Sequence, residues 1–235
     1  MVMQKTDLFG VVTINNGRPK VFKLFCASMK RLRTQVGIDF PVVCVSGIED
    51  RKTCDEYGIG HIVQANKPVS RKFDTACKYM QALGLEYVIV MGSDDIMSTS
   101  LLKSLISEMN KGISLIGIKE LYFYGTEKNF KGKLLYIRLT SLAGVCRTIH
   151  KSILDKVDWM PWNADKGWGM DGLMMKRIRP YVTTQSVVEG LVCDVKSDCN
   201  LNRFSYWNSK VKEPTPAKVF YDILSDEELE ILHTI

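Results

Sequence analysis

The stretch Glu86–Ser98, which reads EYVIVMGSDDIMS, decides the fold. Residues 87–91 form a short, continuous apolar run rich in β-branched side chains, which is typical of a strand buried on both faces of a parallel sheet. The run ends at Gly92-Ser93, and two adjacent carboxylates, Asp94 and Asp95, follow at once. Ligands of open α/β sheets bind outside the carboxyl ends of the strands. The acidic pair therefore stands where a divalent cation and a phosphorylated substrate would bind.

The same acidic pair also has a purely structural explanation. Asp and Ser favour helix caps and turns, so Ser93, Asp94 and Asp95 would equally suit the start of a helix near Thr99. The stretch alone leaves both interpretations open, and the rest of the chain must decide between them.

The bulk composition is that of an ordinary globular protein. The chain has 235 residues, of which 46% are hydrophobic and 25% are charged, and this length suits one substantial α/β domain. No apolar run approaches the roughly 18–20 residues that span a bilayer, and the N-terminus lacks the features of a signal peptide. We therefore expect a cytoplasmic protein without a transmembrane segment.

The arrangement of cysteines and histidines and the net charge further restrict the class of protein. The seven cysteines are scattered without a CxxC pair, so we expect reduced core thiols and no zinc or disulfide framework. The three histidines show no HExxH pairing. The net charge of +6 fits either solvated helix faces or a field that attracts a polyanion such as a nucleoside diphosphate or a nucleic acid.

The first half of the chain alternates apolar runs with amphipathic segments. This order predicts a β-α-β-α-β-α-β arrangement, as in a nucleotide-binding half of a doubly wound fold. The strands are expected at 7–15, 40–46, 61–64 and 87–91, and the helices at 19–33, 50–57 and 70–83. Pro19 suits the first turn of its helix, and Ser70 is expected to cap the third one.

The pattern changes after residue 112. Residues 113–125 and 133–149 are aromatic and β-branched, and they predict an antiparallel hairpin or a mixed-sheet extension. Two short strands are expected within 182–195, and a capping box at Ser225 and Glu228 opens the final helix. We predict one domain over 1–235, with a donor-binding half at 1–110, an acceptor-binding half at 111–210 and a C-terminal tail and helix at 211–235.

A second candidate site lies in the irregular loop WMPWNADKGWGMDG. Its glycines allow close approach to a ligand, and Asp171 is a lone carboxylate that enters a helix. A carboxylate at a helix N-terminus is also favoured simply by the helix dipole. Metal-assisted group transfer, however, needs one acidic site for the ion and the diphosphate and another to deprotonate an acceptor hydroxyl. The two acidic sites together predict this division.

Four segments, taken in order, resemble a known family: VVTINNGRP, KPVSRKFDTA, VMGSDDIMS and GWGMDG. They look like a GT-A glycosyltransferase of the family 2 type, especially its small bacterial and phage-associated members. The resemblance covers about residues 8–205. It implies a Rossmann-like α/β domain with a mostly parallel central sheet, helices on both faces and a small antiparallel extension.

The resemblance also implies roles for individual residues. Asp94 matches the last carboxylate of the family's DxD motif, a metal ligand, and Asp95 follows it. Asp171 matches the catalytic base of inverting members, and the acceptor would contact Trp168, Gly169 and Met170. The nucleotide-sugar donor would contact Thr13, Asn15, Arg18, Glu49, Asp50, Arg71, Lys72, Ser93 and Asp94.

Three departures from the family pattern are visible. Gly92 stands at the first Asp of DxD, and Gly172 stands at the second acid of the acceptor motif. A late third metal ligand is not obvious. Asp194 and Asp198 are candidates, although a solvated turn is the expected interpretation of both.

These observations predict a glycosyltransferase that depends on Mn²⁺ or Mg²⁺. It would move a sugar from a nucleoside-diphosphate sugar, with a UDP-sugar favoured, to an acceptor hydroxyl with inversion. The acceptor is expected to be a glycan or a hydroxylated base in phage DNA, with Trp159, Trp162 or Trp168 as stacking faces. In the second case the location would be the host cytoplasm. The alternatives are a sugar nucleotidyltransferase and a non-catalytic nucleotide-sugar or carbohydrate-binding module.

Overall fold

The predicted alternation of strands and helices is present in the first half of the chain. The computed structural model describes residues 8–166, 169–198, 200, 203–211 and 214–235. The strands are β1 (Phe9–Ile14), β2 (Val42–Ser46), β3 (Gly60–Val63) and β4 (Tyr87–Val90). The helices between them are α1 (Pro19–Val36), α2 (Arg51–Glu56) and α3 (Val69–Ala82), and a 3₁₀ turn at Ile48–Asp50 precedes α2.

The second half is more mixed. Its strands are β5 (Asp95–Met97), β6 (Leu115–Gly117), β7 (Glu120–Gly125), β8 (Leu134–Arg138), β9 (Arg147–His150), β10 (Gln185–Val187), β11 (Val192–Lys196) and β12 (Pro214–Thr215). Its helices are α4 (Thr99–Asn110), α5 (Lys151–Leu154), α6 (Met170–Ile178), α7 (Phe204–Asn208), α8 (Lys218–Tyr221) and α9 (Asp226–Thr234), with 3₁₀ turns at Asp155–Val157 and Arg179–Tyr181.

The strands form two sheets. Within the described residues, the main sheet has seven strands in the order β10-β6-β9-β4-β1-β2-β3. The pairs β1–β2, β1–β4, β2–β3 and β10–β6 are parallel, whereas β9 runs antiparallel to both of its neighbours. The second sheet has the order β12-β8-β7-β11-β5. The predicted fold class, a mostly parallel α/β sheet with an antiparallel extension, is confirmed.

Helices cover both faces of the main sheet, as predicted. Successive residues of β1 point to opposite sides: Val11 belongs to the hydrophobic cluster under α1 and α4, and Val12 belongs to the cluster under α3 and α6. This alternation follows from the two-residue period of a strand, and it explains why β1, β2 and β4 are apolar throughout.

The predicted hairpin is only part of what the two aromatic segments form. β7 and β8 do pair antiparallel in the second sheet. The flanking strands β6 and β9, however, leave this hairpin and pair with each other in the main sheet. The reason lies in burial, because all three residues of β6 are buried whereas β7 and β8 include partly exposed positions. A fully apolar strand is more stable in the interior of the main sheet.

Neither the alternative cap at Asp94 and Asp95 nor the expected cap at Ser70 is present. Asp94 and Asp95 do not cap a helix, because Asp95 opens β5 and the Oγ of Ser98 accepts the hydrogen bond from Leu101 N, at 3.2 Å. Ser70 does not cap α3 either, since Pro68 occupies the cap position and Ser70 lies in the first turn. The Ser70 hydroxyl instead bonds to the backbone at Ala164 and Lys166. The loop before α6 is thereby tied to α3.

The described cysteines lie in the core. All of them are buried and form no disulfide with one another: Cys26, Cys44, Cys54, Cys77, Cys146 and Cys193. No helix in the described part of the chain is both long enough and apolar enough to cross a membrane.

A buried ion pair fastens the C-terminal helix to the rest of the fold. Arg31 of α1 donates from Nε to Glu228 of α9 at 2.7 Å, and the side chains are 5% and 0% exposed. Arg31 also donates to the backbone oxygen of Met97, at 3.0 Å. Glu228 closes the predicted capping box with Ser225, which is present. One guanidinium therefore connects α1, β5 and α9.

We predict that Arg31→Met lowers the free energy of unfolding by about 3–5 kcal/mol, since it leaves the Glu228 carboxylate buried without its partner. Urea unfolding followed by circular dichroism measures this. The matched control is Lys218→Met, which breaks the exposed pair with Asp222 and is expected to change stability by less than about 0.5 kcal/mol. Equal midpoints for the two variants would contradict the assignment.

Candidate functional site

Three carboxylates meet at the carboxyl end of β4. Asp94 follows β4, Asp95 opens β5, and Asp194 lies on β11 directly opposite Asp95 in the antiparallel pair. One oxygen of each carboxylate lies within 4.8 Å of the others. The chain brings these residues together because β5 turns away from β4 into the second sheet, where β11 is its neighbour.

The expectation that Asp194 lies in a solvated turn is wrong. Its side chain is only 15% exposed, and its strand neighbours Cys193 and Val195 are fully buried. The signal was present in the sequence, because a lone carboxylate inside the apolar strand VCDVK is unusual for a turn. Asp198, the other candidate, is exposed, so the solvated interpretation is confirmed for that residue alone.

The close packing of Asp94 and Asp95 explains why position 92 is a glycine. A Cβ atom built on Gly92 would lie 2.6 Å from Asp94 Oδ1 and 2.8 Å from Asp95 Oδ2. The backbone N–H of Gly92 also donates to Asp95 Oδ2 at 2.6 Å. A side chain at this position would therefore displace the acidic pair. The third carboxylate arrives from β11 instead.

Arg18 and Lys196 partly neutralise the cluster, and Asn200 adds a neutral hydrogen bond. Arg18 donates from Nη1 to Asp94 Oδ2 at 2.5 Å and from Nη2 to Ser93 Oγ at 2.8 Å. Asn200 Nδ2 donates to the same Asp94 oxygen at 2.5 Å. Lys196 forms an ion pair with Asp194. Arg18 and Asn200 are distant from Asp94 in the sequence, so they meet it only through the tertiary fold.

The pKa values of the three carboxylates are shifted in different directions by their surroundings. Burial would raise the pKa of Asp94, but the charges of Arg18 and Lys196 hold it below its ordinary value. Burial and the neighbouring carboxylates raise the pKa of Asp95 well above its ordinary value. Burial is also the main cause that raises the pKa of Asp194 to about 7, against the lowering charge of Lys196.

The donor set fits a hard divalent cation. Carboxylate oxygens are the protein ligands that Mg²⁺ prefers, and Mn²⁺ shares this preference. Asp194 Oδ1 is buried and has no hydrogen-bond partner among the described residues, which marks an oxygen available to an ion. Buried polar atoms are otherwise almost always bonded. Asp94, Asp95 and Asp194 are thus the residues that would hold a metal.

A second polar network begins at Asn15, at the end of β1. Its Nδ2 donates to Asp50 at 2.8 Å, and its Oδ1 accepts from Ser93 Oγ at 3.0 Å. The buried Lys72 of α3 donates to the backbone oxygen of Asn15 at 2.7 Å. Burial lowers the pKa of Lys72. This network connects the ends of β1, β2 and β4 through polar side chains.

The two networks border one cavity of about 860 Å³. Five of the predicted donor-binding residues line it: Asn15, Arg18, Arg71, Lys72 and Asp94. The volume lies within the range of roughly 300–1,000 Å³ that is usual for small-molecule sites. The cavity also contains the exposed pair between Arg71 and Asp165, with 2.5 Å between Nε and Oδ1.

The other predicted donor-binding residues do not line this cavity. Thr13 and Ser93 are fully buried, and Asp50 is buried beside Asn15. Glu49 is exposed on the 3₁₀ turn before α2. Sequence reasoning missed Asn66, Lys196 and Asn200, which do line the cavity. Asn66 and Asn200 lie in polar segments without a motif, and Lys196 ends the apolar strand β11, so the sequence offered no signal for them.

Asp171 borders a separate cavity of about 920 Å³. It is exposed in the first turn of α6, and its carboxylate packs so close to Gly144 that a Cβ there would lie 2.0 Å from Oδ1. Two residues after Gly144, the N–H of Cys146 donates to Val90 O of β4 at 2.8 Å. The segment 144–146 thus connects Asp171 with the carboxyl end of β4.

The acceptor-loop residues are placed only in part. Gly169 takes a left-handed conformation with φ of 65° before α6, and Met170 is half-buried at the start of that helix. Trp168 lies outside the described residues. The expectation that Trp159 and Trp162 offer stacking faces is wrong, because they are only 3% and 2% exposed. Trp162 stacks on Phe73 of α3 with 4.8 Å between ring centroids, which satisfies its apolar face internally.

Comparison with known proteins gives matches at the level of the fold but not of the sequence. No protein-family model matches the sequence, and no curated protein matches it significantly. Among solved structures, TarS of S. aureus (residues 1–349), a glycosyltransferase of the GT-A type, matches with a TM-score of 0.58 at 15% identity. That match covers 80% of this chain, and the chain spans 60% of the TarS structure.

Nucleotidyltransferases match as well. A Bacillus anthracis protein named as a glucose-1-phosphate thymidylyltransferase gives a TM-score of 0.55 at 10% identity over 94% of this chain and 99% of that one. The inositol-1-phosphate CTP transferase of T. maritima gives 0.50 at 16% identity over 93% and 99%. The chain thus has the GT-A-like fold of nucleotide-diphospho-sugar transferases, a fold that glycosyl and nucleotidyl transferases share.

We predict that Gly92→Ala lowers the melting temperature and the affinity for Mn²⁺, because the new methyl group collides with the carboxylates of Asp94 and Asp95. Differential scanning fluorimetry and calorimetric Mn²⁺ titration measure the two effects. Gly172→Ala is the control, since Gly172 lies in α6 with open space around it. There alanine should stabilise by about 0.5–1 kcal/mol through helix propensity. If the Gly92→Ala variant matches the wild type in both measurements, the proposed collision with Asp94 and Asp95 is wrong.

Proposed function

We propose that this protein is a metal-dependent glycosyltransferase that uses a nucleoside-diphosphate sugar, with a UDP-sugar favoured, and inverts the anomeric centre. The observation that carries the proposal is the buried cluster Asp94, Asp95 and Asp194 beside the basic cavity at the carboxyl end of β4. In this proposal the donor site draws mainly on residues 1–110, and the acceptor site draws on 111–210.

The donor would be held by charge and by shape. Arg18, Arg71 and Lys72 line the cavity and would face the diphosphate or the base. Asn15 is fixed by Asp50 and Ser93, so its position at the floor of the site is rigid. A bound Mn²⁺ or Mg²⁺ at the carboxylates would supply charge for the diphosphate as it leaves. Arg18 and Lys196 already stand beside these carboxylates and would assist in that role.

In the transfer step, Asp171 would act as the general base. Its carboxylate would take the proton of the acceptor hydroxyl as that oxygen forms a bond to the anomeric carbon. The bond between the anomeric carbon and the diphosphate oxygen breaks with its electron pair, which gives a nucleoside diphosphate. Asp171 suits a base because it is exposed in its cavity and no cation lies within 4.0 Å of its carboxylate among the described residues.

We predict that Asp194→Asn weakens Mn²⁺-dependent binding of UDP by at least about 10–100-fold, because it removes one of three convergent carboxylates. Isothermal titration calorimetry with and without Mn²⁺ isolates the metal-dependent part. Asp198→Asn makes the same chemical change four residues later on an exposed turn and should bind as the wild type. If Asp194→Asn also binds as the wild type, the metal assignment fails.

We predict that Asp171→Asn lowers transfer by about 10²–10⁴-fold while UDP binding is retained, which is the usual contribution of a general base. The rate of UDP release from a UDP-sugar in the presence of acceptor measures it. Asp158→Asn, at an exposed position with φ of 55° that asparagine accepts readily, is the matched control. Undiminished turnover in Asp171→Asn would assign the base elsewhere.

A sugar nucleotidyltransferase is the second candidate, favoured by the near-complete mutual coverage with the thymidylyltransferase structure. The two activities differ in their products. Incubation with a nucleoside triphosphate and a sugar phosphate would release pyrophosphate in the nucleotidyl case. A glycosyltransferase would release a nucleoside diphosphate from the sugar nucleotide. A binding module without catalysis would bind UDP with Mn²⁺ and release neither product.

For the acceptor, the proposal favours a glycan hydroxyl over a hydroxylated DNA base. The burial of Trp159 and Trp162 removes two of the three expected stacking faces for an extruded base. Retention of DNA that carries hydroxymethylated bases, lost steeply with added salt, would reverse this preference.

A further inference from the structure

The cavity beside Asp171 has an excess of positive charge that the transfer chemistry itself does not require. Among the described residues, its lining contains four basic side chains and a single carboxylate, that of Asp171. The basic residues come from separate parts of the fold: Lys119 precedes β7, Arg147 opens β9, and Lys176 and Arg179 lie at the end of α6. The fold therefore gathers cations here from three segments.

Arg147 is the least expected of these cations. It is only 1% exposed, and no carboxylate oxygen lies within 4.0 Å of its guanidinium among the described residues. Its Nη2 donates to Leu142 O at 3.1 Å, and its Nη1 makes a long contact of 3.4 Å with the backbone oxygen of Asp171. Its Nε has no partner among the described residues. Burial of a charged group without an ionic partner is costly.

A purely structural role explains only part of this arrangement. Arg147 does tie the segment at Leu142 to the start of α6 through two backbone oxygens. That role requires neither the unbonded Nε nor the three further cations around the same cavity. Lys119, Lys176 and Arg179 also form no ion pair with any carboxylate in the described part of the chain, whereas Arg31 and Lys196 do.

The chemistry of the lining matches a phosphate group. Guanidinium groups donate in a fixed fork to phosphate oxygens, and lysines supply further charge. The exposed hydroxyls of Thr140 and Ser141 line the same cavity and offer neutral donors. A dianionic or diester phosphate would compensate the excess charge without neutralising Asp171.

We propose that this cavity is a phosphate-binding subsite, in which Arg147 and the surrounding basic side chains hold a phosphate group that the acceptor carries. The acceptor is then a phosphorylated compound whose hydroxyl lies beside Asp171. The assignment of the ligand as acceptor rests on the proposed glycosyl transfer, whereas the phosphate site itself does not.

Binding of small phosphates to the full chain tests the proposal. The probes are glycerol 1-phosphate as a monoester and diglycerol phosphate as a diester, with glycerol as the uncharged reference. Calorimetric titrations are made in saturating UDP and Mn²⁺, so that the first cavity is occupied. We expect at least one phosphate probe to bind while glycerol does not, and the stronger probe identifies a monoester or a diester. Binding of neither phosphate in these titrations overturns the proposal.

A double variant then locates the site. Lys176→Gln with Arg179→Gln should weaken binding of the stronger probe by at least about tenfold, because both changes remove a positive charge that would donate to the phosphate. These residues are exposed at the end of α6, so the fold is expected to persist, unlike with a change at the buried Arg147. The matched control is Lys103→Gln with Arg51→Gln, which removes the same charge from exposed positions outside both cavities. Equal affinities for the two double variants overturn the proposal.

The same experiments separate this inference from the proposed function. UDP binding with Mn²⁺ is measured first, without any phosphate probe. If UDP does not bind but glycerol 1-phosphate binds and loses affinity in the Lys176/Arg179 variant, the phosphate site is supported and the glycosyltransferase proposal fails. If UDP binds and the phosphate probes do not, the donor site is supported and the phosphate subsite is overturned.

Discussion

The close approach of three carboxylates at the end of β4 is the constraint on which the rest of the site depends. Oxygens of Asp94, Asp95 and Asp194 lie within 4.8 Å of one another, and like charges at this separation repel strongly inside a protein. The charges of Arg18 and Lys196 compensate the repulsion, and Asn200 adds a hydrogen bond. Arg18 immediately precedes α1, Lys196 ends β11, and Asn200 lies in the segment after β11. The partners that hold the cluster together also shape the wall of the cavity beside it.

The arrangement of two sheets makes this cluster possible. The main sheet delivers Asp94 at the carboxyl end of a central parallel strand, where doubly wound folds bind ligands. The chain then leaves that sheet at once, and β5 becomes an edge strand of the second sheet beside β11. Asp194 reaches the cluster only because of this change of sheet, and Gly92 allows the close turn at which it occurs.

The environment of Asp171 is connected to the acidic cluster through short contacts. Cys146 donates to Val90 of β4, and Gly144, two residues earlier, lies against the Asp171 carboxylate. Ser70 and Asp74 of α3 hold the loop at 162–166 through backbone hydrogen bonds. Because α3 also carries Arg71 and Lys72, the helix that lines the first cavity also positions the loop that leads to Asp171.

The sequence by itself determined the strands and helices of the first half and the position of the acidic pair. The spacing of hydrophobic residues along a segment reflects which of its faces is buried, so β1 to β4 and the helices between them were predictable. The segment GSDD lies at the end of β4, as expected. Only the tertiary structure decided which distant residues meet there. Asp194 and Asn200 lie in segments without a motif. Asp194 is opposite Asp95 in the β5–β11 pair, and Asn200 donates to Asp94 across 106 residues. Long-range contacts of this kind are hard to predict from the sequence of a segment, because they depend on which sheet edge is available for that segment to pair with.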